Sequence, residues 1–181
     1  MSFIEKSEDY RIQSKDGTWR RIYKYSWTPY SYEVEGVKFE IGTIGDKRTL
    51  SIGPPFLPII PWWGKAASRV QIYLHIISDS ATVTLHPYSI LVREDSSASP
   101  LTFFVTEFVK DTGSTVFNKE SATLQKGQWR EFSLRFKVPY DSLQNLSVDI
   151  GNVLINDHYI QVPIIELLAD PSVTYIPFNL H

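Results

Sequence analysis

The sequence predicts an all-β chain, folded as an antiparallel β-sandwich of about nine or ten strands. Three observations carry that prediction. Apolar and polar residues alternate one by one along much of the chain, the pattern of a strand with one buried face. Turn dipeptides punctuate the alternating runs. No stretch shows the 3.6-residue spacing of an amphipathic helix. Aromatic residues make up 14% of the chain, and aromatic side chains favour strands. A closed barrel is the alternative, because alternation alone does not separate the two architectures.

Taken in order, Trp19, Arg21, Tyr23, Tyr25 and Trp27 fall on one face of a first long strand, with Arg20, Ile22, Lys24 and Ser26 on the other. Asp16-Gly17 marks the turn ahead of it. Val37, Phe39 and Ile41 alternate with Lys38 and Glu40, and Gly45-Asp46 then reads as a hairpin turn into Arg48–Ile52. Val70, Ile72, Leu74 and Ile76 alternate with Gln71, Tyr73 and His75. Phe132, Leu134, Phe136 and Val138 alternate with Ser133, Arg135 and Lys137, after a turn at Lys126-Gly127. Leu146, Val148 and Ile150 form another apolar face, and Asn156-Asp157 predicts a tight hairpin between Val153–Ile155 and Tyr159–Val162. Longer loops are expected at 93–100 and 110–114, and one helical turn at 140–145. Pro87, Pro139 and Pro163 belong at strand ends, bulges or edges, because proline cannot donate to a ladder.

A chain of 181 residues fits one domain spanning 1–181, with a core large enough to need no staples. The formal net charge is −2, so no general attraction to nucleic acid is expected. There is no cysteine, which removes disulfides, thiol nucleophiles and Cys-ligated metals. The opening residues MSFIEKSEDY are polar and do not read as a secretory leader. No run approaches the ~18 apolar residues of a spanning helix.

The segment 53–63, GPPFLPIIPWW, has another character. Pro54, Pro55, Pro58 and Pro61 fix φ and remove backbone donors. The outcome expected is a stiff, extended crossover that carries Phe56, Leu57, Ile59, Ile60, Trp62 and Trp63. Those side chains either plug one end of the core or form an apolar contact surface for a protein or a membrane, where indole suits the interface.

The stripe of Trp19, Tyr23, Tyr25 and Trp27 is the second candidate, with Trp129 as a further platform. Flat rings along one strand can stack sugars; otherwise they are the inward face of a core strand. Arg21 shares that face and could pair with Glu33 or Glu35. Glu33 and Glu35 are the one acidic pair placed to cooperate on a strand face, and a surface pair is the simpler reading. His75, His86 and His158 lack the close spacing of a metal motif. The chain has neither a Gly-x-Ser-x-Gly elbow nor a phosphate-binding glycine loop. Neither a cofactor nor a metal is expected.

The Gly-Pro-Pro-x-Leu-Pro-Ile-Ile-Pro core at 53–61, with Ile155-Asn156-Asp157, Ile160 and Val162-Pro163 near the end of the chain, resembles segments of uncharacterised bacterial envelope proteins, small lipoproteins among them. The resemblance implies export to the periplasm or outer membrane, by way of an anchor cysteine ahead of Met1. Without such a leader the chain would be cytoplasmic. The functional expectation is a non-enzymatic envelope module that contacts a protein or membrane through 53–63. The alternatives are a carbohydrate-binding sandwich, or an enzyme whose residues converge from distant strands.

Overall fold

Alternating β-branched and aromatic residues pair into strands because each strand then buries one face and solvates the other. The computed structural model describes residues 2–13, 18–22, 30–44, 46–52, 69–95, 99–109, 113–137 and 145–177, and side chains within 18–22, 30–43, 71–95, 99–109, 113–136 and 145–168. These residues form sixteen strands in antiparallel sheets, rather than nine or ten. The excess is made of strands of two to four residues that periodicity alone does not separate.

The largest sheet runs β10-β9-β12-β6-β4-β3-β2. Its members are β2 (Arg20–Arg21), β3 (Tyr30–Val34), β4 (Val37–Ile44), β6 (Arg69–Ser78), β9 (Phe104–Val109), β10 (Gly113–Val116) and β12 (Trp129–Lys137). A four-stranded sheet runs β11 (Ala122–Leu124), β7 (Val83–Leu85), β14 (Asn152–Ile155), β15 (His158–Gln161). The third runs β5 (Asp46–Ile52), β1 (Ser2–Gln13), β16 (Ile165–Pro177), β13 (Leu146–Asp149), β8 (Leu91–Glu94). Among the described residues no sheet closes on itself, so the barrel alternative does not hold. One 3-10 turn, Pro87–Ser89, follows β7 and accommodates Pro87 off the ladder.

Val37, Phe39 and Ile41 of β4, Ile72, Leu74 and Ile76 of β6, and Phe132, Leu134 and Phe136 of β12 are buried together. Val83 and Leu85, Val153 and Ile155, Leu146 and Val148, and Ile165 and Leu167 join the same apolar cluster from the other sheets. Each such side chain contributes about 1.5–3 kcal/mol by leaving water. The alternation seen in the sequence therefore identified the core face correctly.

Two hairpins show how turns fix register. Asn156 and Asp157 have φ of 44° and 69°, and Ile155 faces His158 across the turn as expected. The Asn156 side chain also accepts a hydrogen bond from the Thr82 amide at 3.0 Å. Glu35 and Gly36 play the same part between β3 and β4, with φ of 48° and 73°. The Gly36 carbonyl accepts from the Asp79 amide at 2.9 Å, and a Cβ on Gly36 would lie 1.9 Å from the Ser80 hydroxyl. A side chain there would have to displace the Ser80 hydroxyl, and the φ of 73° itself favours glycine.

The expected Gly45-Asp46 hairpin does not form. β4 pairs with β3 and β6, whereas β5 pairs with β1, so the chain changes sheets there. The loops expected at 93–100 and 110–114 are shorter than that, because Arg93 and Glu94 end β8 and Gly113 begins β10. The helical turn at 140–145 falls largely outside the described residues, as does Pro139.

Candidate binding face

The strands of the largest sheet present their other face away from the apolar cluster. Its composition follows from register. Glu131 of β12 stands opposite His75 of β6 and Phe108 of β9, and His75 stands opposite Glu40 of β4. One pleat along, Ser133 lies between Tyr73 and Thr106. One further, Arg135 lies between Gln71 and Phe104. Trp129, at the other end of β12, completes the face.

This face is polar in sequence yet partly buried. Glu40 is 0% exposed. A buried carboxylate costs several kcal/mol unless it is paired, and Glu40 is paired: Lys38 Nζ donates to Oε1 at 3.0 Å and His75 Nδ1 donates to Oε2 at 3.2 Å. An ionised carboxylate only accepts, so the contact fixes the proton on Nδ1 and leaves Nε2 for other partners. The imidazole edge packs on the Trp129 ring, with centroids 5.3 Å apart and planes at 81°. No hydroxyl bonds to His75 among the described residues.

Trp129 and Phe108 form the apolar part. Their rings are 6.5 Å apart and nearly parallel at 18°, and they remain 47% and 39% exposed. Two large aromatics held side by side in water form a flat, exposed apolar surface. Phe104, 44% exposed, extends the line along β9. At the centre, the Tyr73 hydroxyl donates to Gln71 Oε1 at 2.8 Å. Burial pushes the Tyr73 phenol above its ordinary value of 10.0, Arg135 draws it down and Glu131 adds to the rise.

A second depression, of about 290 Å³, is lined by Thr82, Thr84, Leu154, Asn156 and Asp157. Its hydroxyls are engaged with neighbours outside the lining: Thr82 Oγ1 bonds to Gln125, and Thr84 Oγ1 bonds to Thr123 Oγ1 at 2.9 Å.

The residues singled out from sequence are distributed unevenly. Phe56, Leu57, Ile59, Ile60, Trp62 and Trp63 lie outside the described residues, as do Tyr23, Tyr25 and Trp27. Trp19 is not an open platform: it is buried, its Nε1 donates to the Pro163 carbonyl at 3.0 Å, and its ring lies 5.7 Å from Tyr32. Glu33 is exposed on β3 while Glu35 sits in the turn, so they do not form an acid pair on one strand face. His86 and His158 are exposed, and among the described residues His75 alone of the histidines joins a carboxylate. No group of three or more potential metal ligands occurs among the described residues. No helix there is long and apolar enough to cross a membrane. Phe104, Phe108, Thr106, Glu40 and Arg135 gave no separate functional signal in the sequence; only strand order brings them together. The exposed phenylalanines of FVTEFV were the nearest available hint.

No family model matches the chain, and no curated protein matches it.

Proposed function

We propose that the protein is a non-enzymatic carbohydrate-binding module, a single-domain antiparallel β-sandwich that holds its ligand on the outer face of the seven-stranded sheet. The sandwich arrangement is supported by one apolar cluster drawing on all three sheets. The observation that carries the binding reading is the exposed, near-parallel pair Trp129 and Phe108. The apolar face of a pyranose ring stacks on such a surface, while hydroxyl and amide groups beside it, Ser133, Tyr73 and Gln71, suit the ring's hydroxyls. His75 is oriented by Glu40 to present Nε2 at the edge of the same platform.

The resemblance of 53–61 to envelope proteins supports a periplasmic or outer-membrane location for this module, where polysaccharides would be its neighbours. The test is titration of the full chain with a panel of oligosaccharides, followed by tryptophan fluorescence and calorimetry. Saturable binding that disappears in Trp129→Ala/Phe108→Ala, with unfolding temperature little changed, is the expected result. No response from any sugar at millimolar concentration would end the reading.

A further inference from the structure

Arg135 is left unexplained by packing. Its Nε is buried and has no hydrogen-bond partner, and its guanidinium makes no ion pair or hydrogen bond among the described residues. Thr106 Oγ1 is in the same condition, in a residue only 5% exposed. The two side chains belong to one corner of the binding face. Arg135 stands opposite Phe104, and Thr106 lies between Phe104 and Phe108 along β9. Buried polar groups in folded proteins are almost always satisfied, so two unsatisfied ones at adjoining positions call for an outside partner.

The chemistry of that partner can be read from the corner. A guanidinium offers parallel N–H donors that match a carboxylate in a two-point bond. Gln71, opposite Arg135, and Ser133 and Tyr73, paired one pleat along, carry no charge at neutral pH. At the next position the ladder pairs Lys137 with Arg69. In the other direction lie the aromatic rings. Phe104 and Phe108 are four residues apart, about 14 Å along an extended strand, which is the reach of a short oligosaccharide rather than one sugar.

We infer that this corner binds the carboxylate of an acidic sugar, so that the ligand is a uronate-bearing oligosaccharide with a ring on Phe104, its carboxylate on Arg135 and a hydroxyl on Thr106 Oγ1. The inference rests on the carbohydrate reading and adds the substrate class to it.

The experiment compares trigalacturonic acid with its methyl ester, which keeps the sugar rings and removes the charge. Both are titrated into the full chain and into Arg135→Gln, Arg135→Lys and Thr106→Val. The acid is expected to bind about tenfold more tightly than the ester, the worth of one charge-assisted pair. Arg135→Gln should abolish that preference, lowering acid binding far more than ester binding, and Arg135→Lys should restore part of it. Equal affinity for acid and ester, or an equal loss of both in Arg135→Gln, overturns the inference and leaves the carbohydrate reading standing. Failure of both ligands with the unaltered chain overturns the inference as well, and the wider sugar panel then decides the reading beneath it. Should Arg135→Gln not fold, Arg135→Lys carries the comparison of acid with ester, and Thr106→Val should weaken both ligands alike.

Discussion

The two faces of the seven-stranded sheet are built from the same strands and obey different rules. On one face Phe39, Leu74 and Phe132 pack with neighbours from three sheets. On the other, Glu40, His75, Trp129 and Thr106 mix charge, ring and hydroxyl. Phe132 and Trp129 are three residues apart on β12, and one is fully buried while the other is half exposed. The difference teaches that the inner face is selected for volume and the outer face for particular atoms in particular places. Substitutions should separate the two.

The largest effect belongs to the inner face. Phe132→Ala should cost about 3–5 kcal/mol in urea unfolding, through lost burial and the cavity left behind, whereas Trp129→Ala should cost less than about 1 kcal/mol. Equal losses would erase the distinction. Glu40→Gln comes next. It keeps the shape but weakens the bonds from Lys38 and His75, and about 1–3 kcal/mol should be lost. A neutral result would mean that the buried carboxylate adds nothing to stability. Thr106→Val acts in the opposite direction: removing an unsatisfied buried hydroxyl should raise stability by about 1 kcal/mol, even as it weakens a ligand that uses that hydroxyl. A residue that costs stability and aids binding is what a functional face would retain.

The smallest effect is confined to alkaline pH. Burial, the largest cause, raises the Tyr73 phenol above 10.0 in the folded chain. The unfolded chain therefore releases that proton first as pH rises. Its contribution to stability is complete below about pH 10 and is lost as pH climbs through the higher folded value. Tyr73→Phe should flatten that part of the stability profile, measured by unfolding between pH 8 and 12.

The inner face was legible in the sequence because burial and alternation coincide: Ile72, Leu74 and Ile76 announce a core strand with no knowledge of their neighbours. The Asn156-Asp157 turn was legible for a local reason too, since those residues tolerate positive φ. The outer face was not. Alternation assigns Glu40, Ser133 and Thr106 to solvent, and only the order of the strands shows that they are covered. Gly45-Asp46 misled for the same cause, because a turn dipeptide states that the chain bends and not which sheet it enters. Trp19 looked like a platform until Pro163, distant in sequence, supplied its hydrogen-bond acceptor.

The ladder between β1 and β16 sets Ser2 opposite Pro177 and Gln13 opposite Glu166. Almost the whole chain is looped out between those partners. Loop closure grows only logarithmically in free energy, so the finished fold bears little penalty for the span. The rate is another matter, since distant pairings slow the search for the native state. Strands formed by near neighbours, such as β14 with β15, can assemble early, while β1 must wait for β16 to leave the ribosome. Until then β1 can pair with β5 but its other edge is open, and that interval is when the growing chain is most open to pairing with another copy of itself.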